Sequence, residues 1–199
     1  MFFNEGESSD PACACLPWCP SFRCSPSYFE DVEMLLLKLL KWVLIVIASA
    51  VVLAILVGQV GLLRGDAPTD LGVRDGKLKG LSATANSVSS QAALYPDHPQ
   101  RRYADIAPLA LRGDGAATLA KLKTVVETMH GTQIIKSEPG YLYVQYQTRL
   151  MHYVDDVEFW FDPSAQVIQV RSASRLGKGD MGANRQRIEA VRAALAAAP

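Results

Sequence analysis

The sequence predicts an α+β fold: a two-layer domain in which an antiparallel β-meander of three to five strands packs against helices, preceded by a single transmembrane helix. Three observations carry that expectation. Residues Trp42 to Leu63 form an uncharged apolar run, WVLIVIASAVVLAILVGQVGLL. Between Tyr141 and Ser174, apolar and polar residues alternate in segments joined by turn chemistry. On either side of that region, two stretches carry apolar residues at helical spacing.

Residues 1–33 hold all four cysteines (Cys13, Cys15, Cys19, Cys24), four of the eleven prolines, six acidic residues and one arginine. The spacing C-x-C-x3-C-x4-C lacks the paired C-x2-C of common zinc sites. A cytoplasmic location disfavours disulfides. The segment is expected to be a disordered tail, or not to be translated at all. Met34 opens MLLLKLLKW, which has the short basic-then-apolar pattern of a membrane-targeting start.

Residues 34–64 are the expected anchor. At about 1.5 Å per residue, Trp42–Leu63 rises about 33 Å, against a hydrocarbon core of about 30 Å. The bilayer is therefore the expected partner of residues 42–63. Lys38 and Lys41 precede the run, and Arg64 follows it. The positive-inside rule then favours a cytoplasmic N-terminus and an extracytoplasmic C-terminal domain, on the periplasmic side. A cleaved signal peptide is the rival, with Ala48-Ser49-Ala50 as its site. Cleavage there leaves VVLAILVGQVGLL as an apolar new terminus, so an uncleaved signal-anchor is preferred. Ala50, Ala54 and Gly58 form a small-residue row of the kind that packs helices together.

The chain carries twenty basic and twenty acidic residues. Beyond the anchor, residues 64–199 hold seventeen Lys/Arg and fourteen Asp/Glu, a net of about +3 and too mild for a nucleic-acid partner. This stretch is one domain's worth of chain and contains no cysteine. Residues 65–105 read as an irregular linker and leading segment, with turn chemistry at Asp75-Gly76 and Tyr95-Pro96-Asp97-His98-Pro99. The α+β core is expected over 106–199.

A helix is predicted at Ala116–His130, started by Asp114 or Gly115 and closed by Gly131. Leu119, Leu122, Val126 and Met129 form its buried stripe. Strands are predicted at Thr132–Ser137, Tyr141–Leu150, Val154–Phe161 and Val167–Ser174. In the second, Leu142, Val144, Tyr146 and Leu150 share one face. In the last hairpin, pairing Asp162 with Ala165 sets Phe159 against Ile168 and Val157 against Val170. A one-residue slip would mix the faces. This register predicts an Asp156–Arg171 cross-strand ion pair. A final helix is predicted at Gly182–Ala197, capped by Asp180. Asn184, Ile188, Val191 and Leu195 share one of its faces, so the Asn184 amide needs partners in the core.

The second sheet face is unusually polar. It gathers Tyr141, Tyr143, Gln145, Asp156, Glu158, Trp160, Gln169 and Arg171, with Asp155, Ser172, Ser174 and Arg175 near the strand ends. A glycine-rich link then leads to Asp180, Asn184 and Arg185. Arginines beside a helix start make an anion-binding arrangement. Two readings follow. In one, the cluster of Asp155, Asp156, Glu158, Arg171, Ser172, Ser174, Arg175, Asp180, Asn184 and Arg185 binds a small anionic ligand between walls of Tyr141, Tyr143 and Trp160. In the other, its acids and bases neutralise one another and lock the terminal helix onto the sheet. No metal is expected, because the arginines repel a cation. His98, His130 and His152 are scattered, no catalytic triad or nucleotide fingerprint is present, and no cofactor is implied.

These same residues carry a resemblance. The strings Asp155-Asp156-Val157-Glu158-Phe159 and Val170-Arg171-Ser172-Ala173-Ser174-Arg175, followed by Gly177, Asp180, Gly182, Asn184-Arg185 and Arg187-Ile188-Glu189, resemble the family called domain of unknown function 1499. Asn86-Ser87-Val88-Ser89-Ser90-Gln91 and Ile106-Ala107-Pro108-Leu109 match upstream, and the resemblance spans roughly residues 71–195. It implies a bacterial, membrane-anchored or exported protein, or a chloroplast one. The family commonly has two cysteines near the Asn-Val-Ser-Ser stretch; here Ala83 or Thr84 and Ser87 stand in those places. It has no established activity, so the resemblance transfers no catalytic residue. The leading expectation is a membrane-anchored extracytoplasmic binding or accessory module. The alternatives are a hydrolase or transferase using Asp155, Asp156 or Glu158 with Arg171, and a structural partner of another membrane protein.

Overall fold

The computed structural model describes residues 26–198. Cys13, Cys15, Cys19 and Cys24 lie outside the described residues. The chain divides between Ser49 and Ala50 into two compact units.

One long helix, α1 (Pro26–Gln59), starts the described chain. Its stretch Glu30–Gln59 is apolar and long enough to cross a membrane, and the most apolar window within it is unburied. The predicted run continues to Leu63, but the helix stops at Gln59. Gly61 takes a left-handed φ of +82° and donates its N–H to the Gly58 carbonyl at 2.9 Å, which turns the chain out of the helix. Gly58 is not a free small-residue position: a Cβ there would lie 2.8 Å from the Met151 backbone.

The second unit contains β1 (Ser87–Ser89), a 3-10 turn (Ala92–Leu94), α2 (Arg101–Ala104), β2 (Leu109–Ala110), α3 (Gly115–Thr128), β3 (Thr132–Glu138), β4 (Tyr141–Gln147), β5 (Val154–Asp162), β6 (Val167–Ser174) and α4 (Ala183–Ala197). The sheet is antiparallel with order β1-β6-β5-β4-β3, and β2 also pairs with β6. It therefore has six strands rather than three to five. The additions, β1 and β2, are three and two residues long, too short for alternation to reveal them.

Local chemistry explains the ends of the elements. Asp114 caps α3, its Oδ1 accepting the Ala117 N–H at 2.6 Å. The helix ends at Thr128, two residues before the predicted end, because Met129 is already extended. Gly131 (φ +76°) then turns the chain into β3, and a Cβ on it would lie 2.3 Å from the Gln147 carbonyl oxygen. β4 ends at Gln147, so Leu150 leaves the apolar face and stays 61% exposed.

Both sheet faces are covered. On one, Leu142, Val144, Val157, Phe159, Ile168 and Val170 pack with Leu119, Leu122 and Val126 of α3 and Ile188, Val191 and Leu195 of α4. On the other, Tyr141 and Tyr143 pack with Leu78, flanked by Leu71, Val73 and Trp160. The leading segment thus roofs the face that the alternation pattern leaves open.

The last hairpin departs from the predicted register by two residues. Asp162 lies opposite Val167, Phe159 opposite Val170, Glu158 opposite Arg171 and Asp156 opposite Ala173. A two-residue slip keeps every side chain on its own face, so face matching cannot tell the two registers apart. The connection decides. Asp162 Oδ1 accepts the N–H groups of Ser164 and Ala165, both at 3.0 Å, and Gln166 adopts φ +54°. This Asx-type turn lengthens the loop. The Asp156–Arg171 cross-strand pair is consequently replaced by Glu158 opposite Arg171.

Candidate functional site

Successive strand residues point to opposite sheet faces, and this splits the predicted polar cluster in two. Asp155, Ser172 and Ser174 face the helices. Asp156, Glu158, Arg171 and Arg175 lie on the side of the leading segment. Asp155 and Asp156, adjacent in sequence, are therefore not a pair of carboxylates at one site.

On the helix side, Asp155 accepts from Arg187 Nη2 at 2.5 Å. Arg187 also lies 4.8 Å from the centre of the Tyr146 ring. Burial pushes the Tyr146 hydroxyl up to about 12. The buried Asn184 amide is satisfied: Nδ2 donates to the Asn86 carbonyl, Ser174 Oγ and Asp180 Oδ2, and Oδ1 accepts from Ser172 Oγ and Arg187 Nη1. Asp180 takes the N–H groups of Gly182 and Asn184 and the Tyr103 hydroxyl. Burial acts to raise its pKa, but these donors outweigh burial and hold it below 3.8. Arg185 donates to the carbonyls of Tyr103 and Asp105 at 2.6 and 2.8 Å. This half ties α4 and α2 to the sheet.

On the other side, Arg175 grips Asp156 through two bonds of 2.7 and 2.8 Å, and the Tyr143 hydroxyl donates to the same carboxylate at 2.5 Å. Hydrogen bonding to Asp156 holds the Arg175 pKa above its ordinary value. Glu158 is fully buried. Its Oε1 accepts from the Tyr141 hydroxyl and the Gly72 N–H, both at 2.7 Å, while Oε2 has no hydrogen-bond partner among the described residues. Burial, then the Glu158 charge, pushes the Tyr141 hydroxyl far above its usual value. Arg171 is 4% exposed and lies 3.8 Å from Glu158 Oε2. Its Nε donates to the Gly80 carbonyl at 3.2 Å. Burial depresses its pKa against the pull of the nearby carboxylates.

A cavity of about 360 Å³ opens between this group and the leading segment, lined by Lys79, Leu81, Ser82, Asn86, Arg171 and Arg175 among others. Tyr141, Tyr143 and Trp160 are not its walls. The two tyrosines are buried with their hydroxyls engaged, and Trp160 lines a separate cavity with Leu71, Val73 and Lys136. Arg175 also borders a cavity of about 390 Å³ with Arg64, Gln133, Gln145 and Gln147. Among the described residues, no group of three or more His, Cys, Asp or Glu is arranged to hold a metal.

The sequence reading did not assign roles to Arg187, Asn86, Gly72, Gly80 or Tyr103. The strings around Asn86 and Arg187 carried a signal, through their place in the family resemblance. The backbone groups of Gly72 and Gly80 contact the site only because the leading segment folds back over the sheet.

No curated protein and no solved structure matches this chain. Residues 77–195 match the family model described as a protein of unknown function, DUF1499. That span takes in the sheet, the helices α2 and α3, α4 as far as Leu195 and all ten cluster residues, and the chain belongs to this family.

Proposed function

We propose that this chain is a membrane-anchored, extracytoplasmic binding or accessory module that holds a small anionic ligand in the cavity beneath its leading segment. The observation that carries the reading is Arg171. A guanidinium has five N–H donors, yet this buried one makes a single hydrogen bond to a described residue and lines the cavity. Cations in a partly dry cleft attract anions more strongly than cations in water do. The anchor is supported by the length and apolarity of Glu30–Gln59. Its orientation is supported by Lys38 and Lys41 before the span against Arg64 after it.

A hydrolase or transferase reading has less support. Asp155 and Asp156 face opposite ways and each is held by an arginine, so neither is poised as a general acid. The partner-helix reading is weakened by Gly58, which is already in use against Met151.

Two experiments test the proposal. Full-length protein in detergent, scanned with a panel of small anions, should show saturable thermal stabilisation. The response should weaken in Arg171→Lys and vanish in Ala83→Trp, which fills the cavity from its exposed rim. A flat response across the panel refutes ligand binding. Reporter fusions at the C-terminus should be active only outside the cytoplasm; a cytoplasmic C-terminus refutes the topology.

A further inference from the structure

We infer that the loop joining β4 to β5, residues 148–153, is a second membrane contact: it rests in the headgroup region of the bilayer beside the exit of α1. The inference is independent of ligand binding and rests only on the anchor reading above.

α1 ends at Gln59, and Gly61 turns the chain away. The last helical residues therefore mark the level at which the chain leaves the hydrocarbon. The loop is fastened at that level. Gln59 Nε2 donates to the Leu150 carbonyl at 2.9 Å. The Met151 backbone lies so close to Gly58 that a Cβ on this glycine would stand 2.8 Å from it. A segment tied to two residues at the membrane exit does not stand clear of the lipid surface.

Its side chains suit that place. Leu150 is 61% exposed, and Val60 and Leu62, just past the end of the helix, are 72% and 71% exposed. One bare leucine is ordinary on a protein surface. Three large aliphatic side chains bare around one helix exit call for an apolar cover. Tyr153, also exposed, belongs to the residue types enriched at membrane–water interfaces. Arg64 and Arg149 are exposed, and residues 58–64 and 148–153 contain no acid. Guanidinium groups there suit lipid phosphates. The first acids beyond these stretches are Asp66 and Asp155, and Asp155 is held by Arg187 on the helix side of the sheet.

The loop is also preformed. The Thr148 N–H donates to the Tyr153 carbonyl at 2.9 Å, its carbonyl accepts the His152 N–H at 3.2 Å, and its Oγ1 accepts the Tyr153 N–H at 3.0 Å. Leu150 is therefore presented without an ordering cost on contact. The turn at the far end of β5 differs. It carries Pro163, Ser164, Ala165 and Gln166, with no large apolar side chain, and it lies about 27 Å away along the strand.

The test is depth-resolved fluorescence quenching on the full-length protein in vesicles of phosphatidylcholine and phosphatidylglycerol in equal parts. Cys13, Cys15, Cys19 and Cys24 are first replaced by serine, and one polarity-sensitive label is then placed at Leu150→Cys, Leu53→Cys or Ser164→Cys. Tyr153→Cys serves as a second reporter of the loop. Nitroxide lipids carry the quencher either near the headgroup or deep in the acyl chain. The Leu150 and Tyr153 labels should lose more fluorescence to the shallow quencher than to the deep one. The Leu53 label, in the middle of the span, should show the reverse order, and the Ser164 label should respond to neither. If the Leu53 label is quenched but neither loop label is, the loop contact is wrong and the anchor survives. If the Leu53 label is not quenched, both fall. Equal quenching of the Leu150 and Ser164 labels overturns the inference, because the domain then meets the bilayer without regard to this loop.

Discussion

Asp155 and Asp156 are neighbours in the chain, yet they pair with different arginines on different faces of one sheet. Asp156 is held by Arg175, not by the Arg171 that the sequence register brings opposite it. Breaking a buried pair strands a charge, so Asp156→Asn and Arg175→Gln should each cost about 3–5 kcal/mol. A double-mutant cycle by urea unfolding should find stronger coupling for Asp156 with Arg175 than with Arg171; the reverse order would disprove the assignment. Titration adds a second residue-scale expectation. The hydroxyls of Tyr103, Tyr141, Tyr143 and Tyr146 all have folded pKa values above 10, with burial the first cause of each. A raised folded pKa gives stability that is complete below pH 10 and lost as pH rises through the folded values. Tyrosinate absorbance should therefore show these four of the seven tyrosines ionising only as the domain unfolds at alkaline pH. Asp180 works in the opposite sense. Its folded pKa is depressed below 3.8, so its contribution holds above that pH and fades as pH falls through the folded value. Early, smooth titration of all seven tyrosines in folded protein would contradict the buried network.

Among the elements, the β5–β6 hairpin and the start of α3 are the most sensitive. The Asp162 carboxylate holds the turn by accepting two backbone N–H groups. Asp162→Ala should cost about 1–2 kcal/mol, seen as a lower urea midpoint with an unchanged m-value. A wild-type midpoint would show that the turn does not set the register. At the α3 start, a Cβ on Gly115 would sit 2.4 Å from the Phe161 ring. Gly115→Ala should therefore destabilise by about 1–3 kcal/mol through overpacking. Adding Phe161→Leu should recover part of that loss, and strict additivity would mean that the helix and β5 do not touch there. The sequence places α3, α4 and the four long strands within a few residues. Amphipathic periodicity is written locally, in Leu119, Leu122 and Val126 or in Val157 and Phe159. β1 and β2 are not legible, since their pairing partner, β6, is remote in the chain.

For the domain as a whole, the leading segment is the decisive part. Its Leu78 side chain, Gly72 N–H and Gly80 carbonyl cover Tyr141, Tyr143, Glu158 and Arg171. A chain shortened to residues 106–199 would expose that aromatic surface and leave two buried charges without their backbone partners. It should lack cooperative thermal unfolding, whereas 66–199 should unfold in one sharp transition. A cooperative 106–199 fragment would show that the roof is dispensable.

Several things followed from the sequence alone. Residue spacing determined the apolar helix, the antiparallel meander and the two long helices packed on it. So did the need of Asn184 for partners, because a polar amide on an apolar stripe has to be matched. Tertiary structure alone decided which acid meets which base, that Asp155 and Asp156 part company, and that a cavity exists. Period-two alternation is unchanged by a two-residue slip, so register rests on turn geometry. A cavity needs two walls, and here one wall is an irregular segment whose place over the sheet no local pattern encodes.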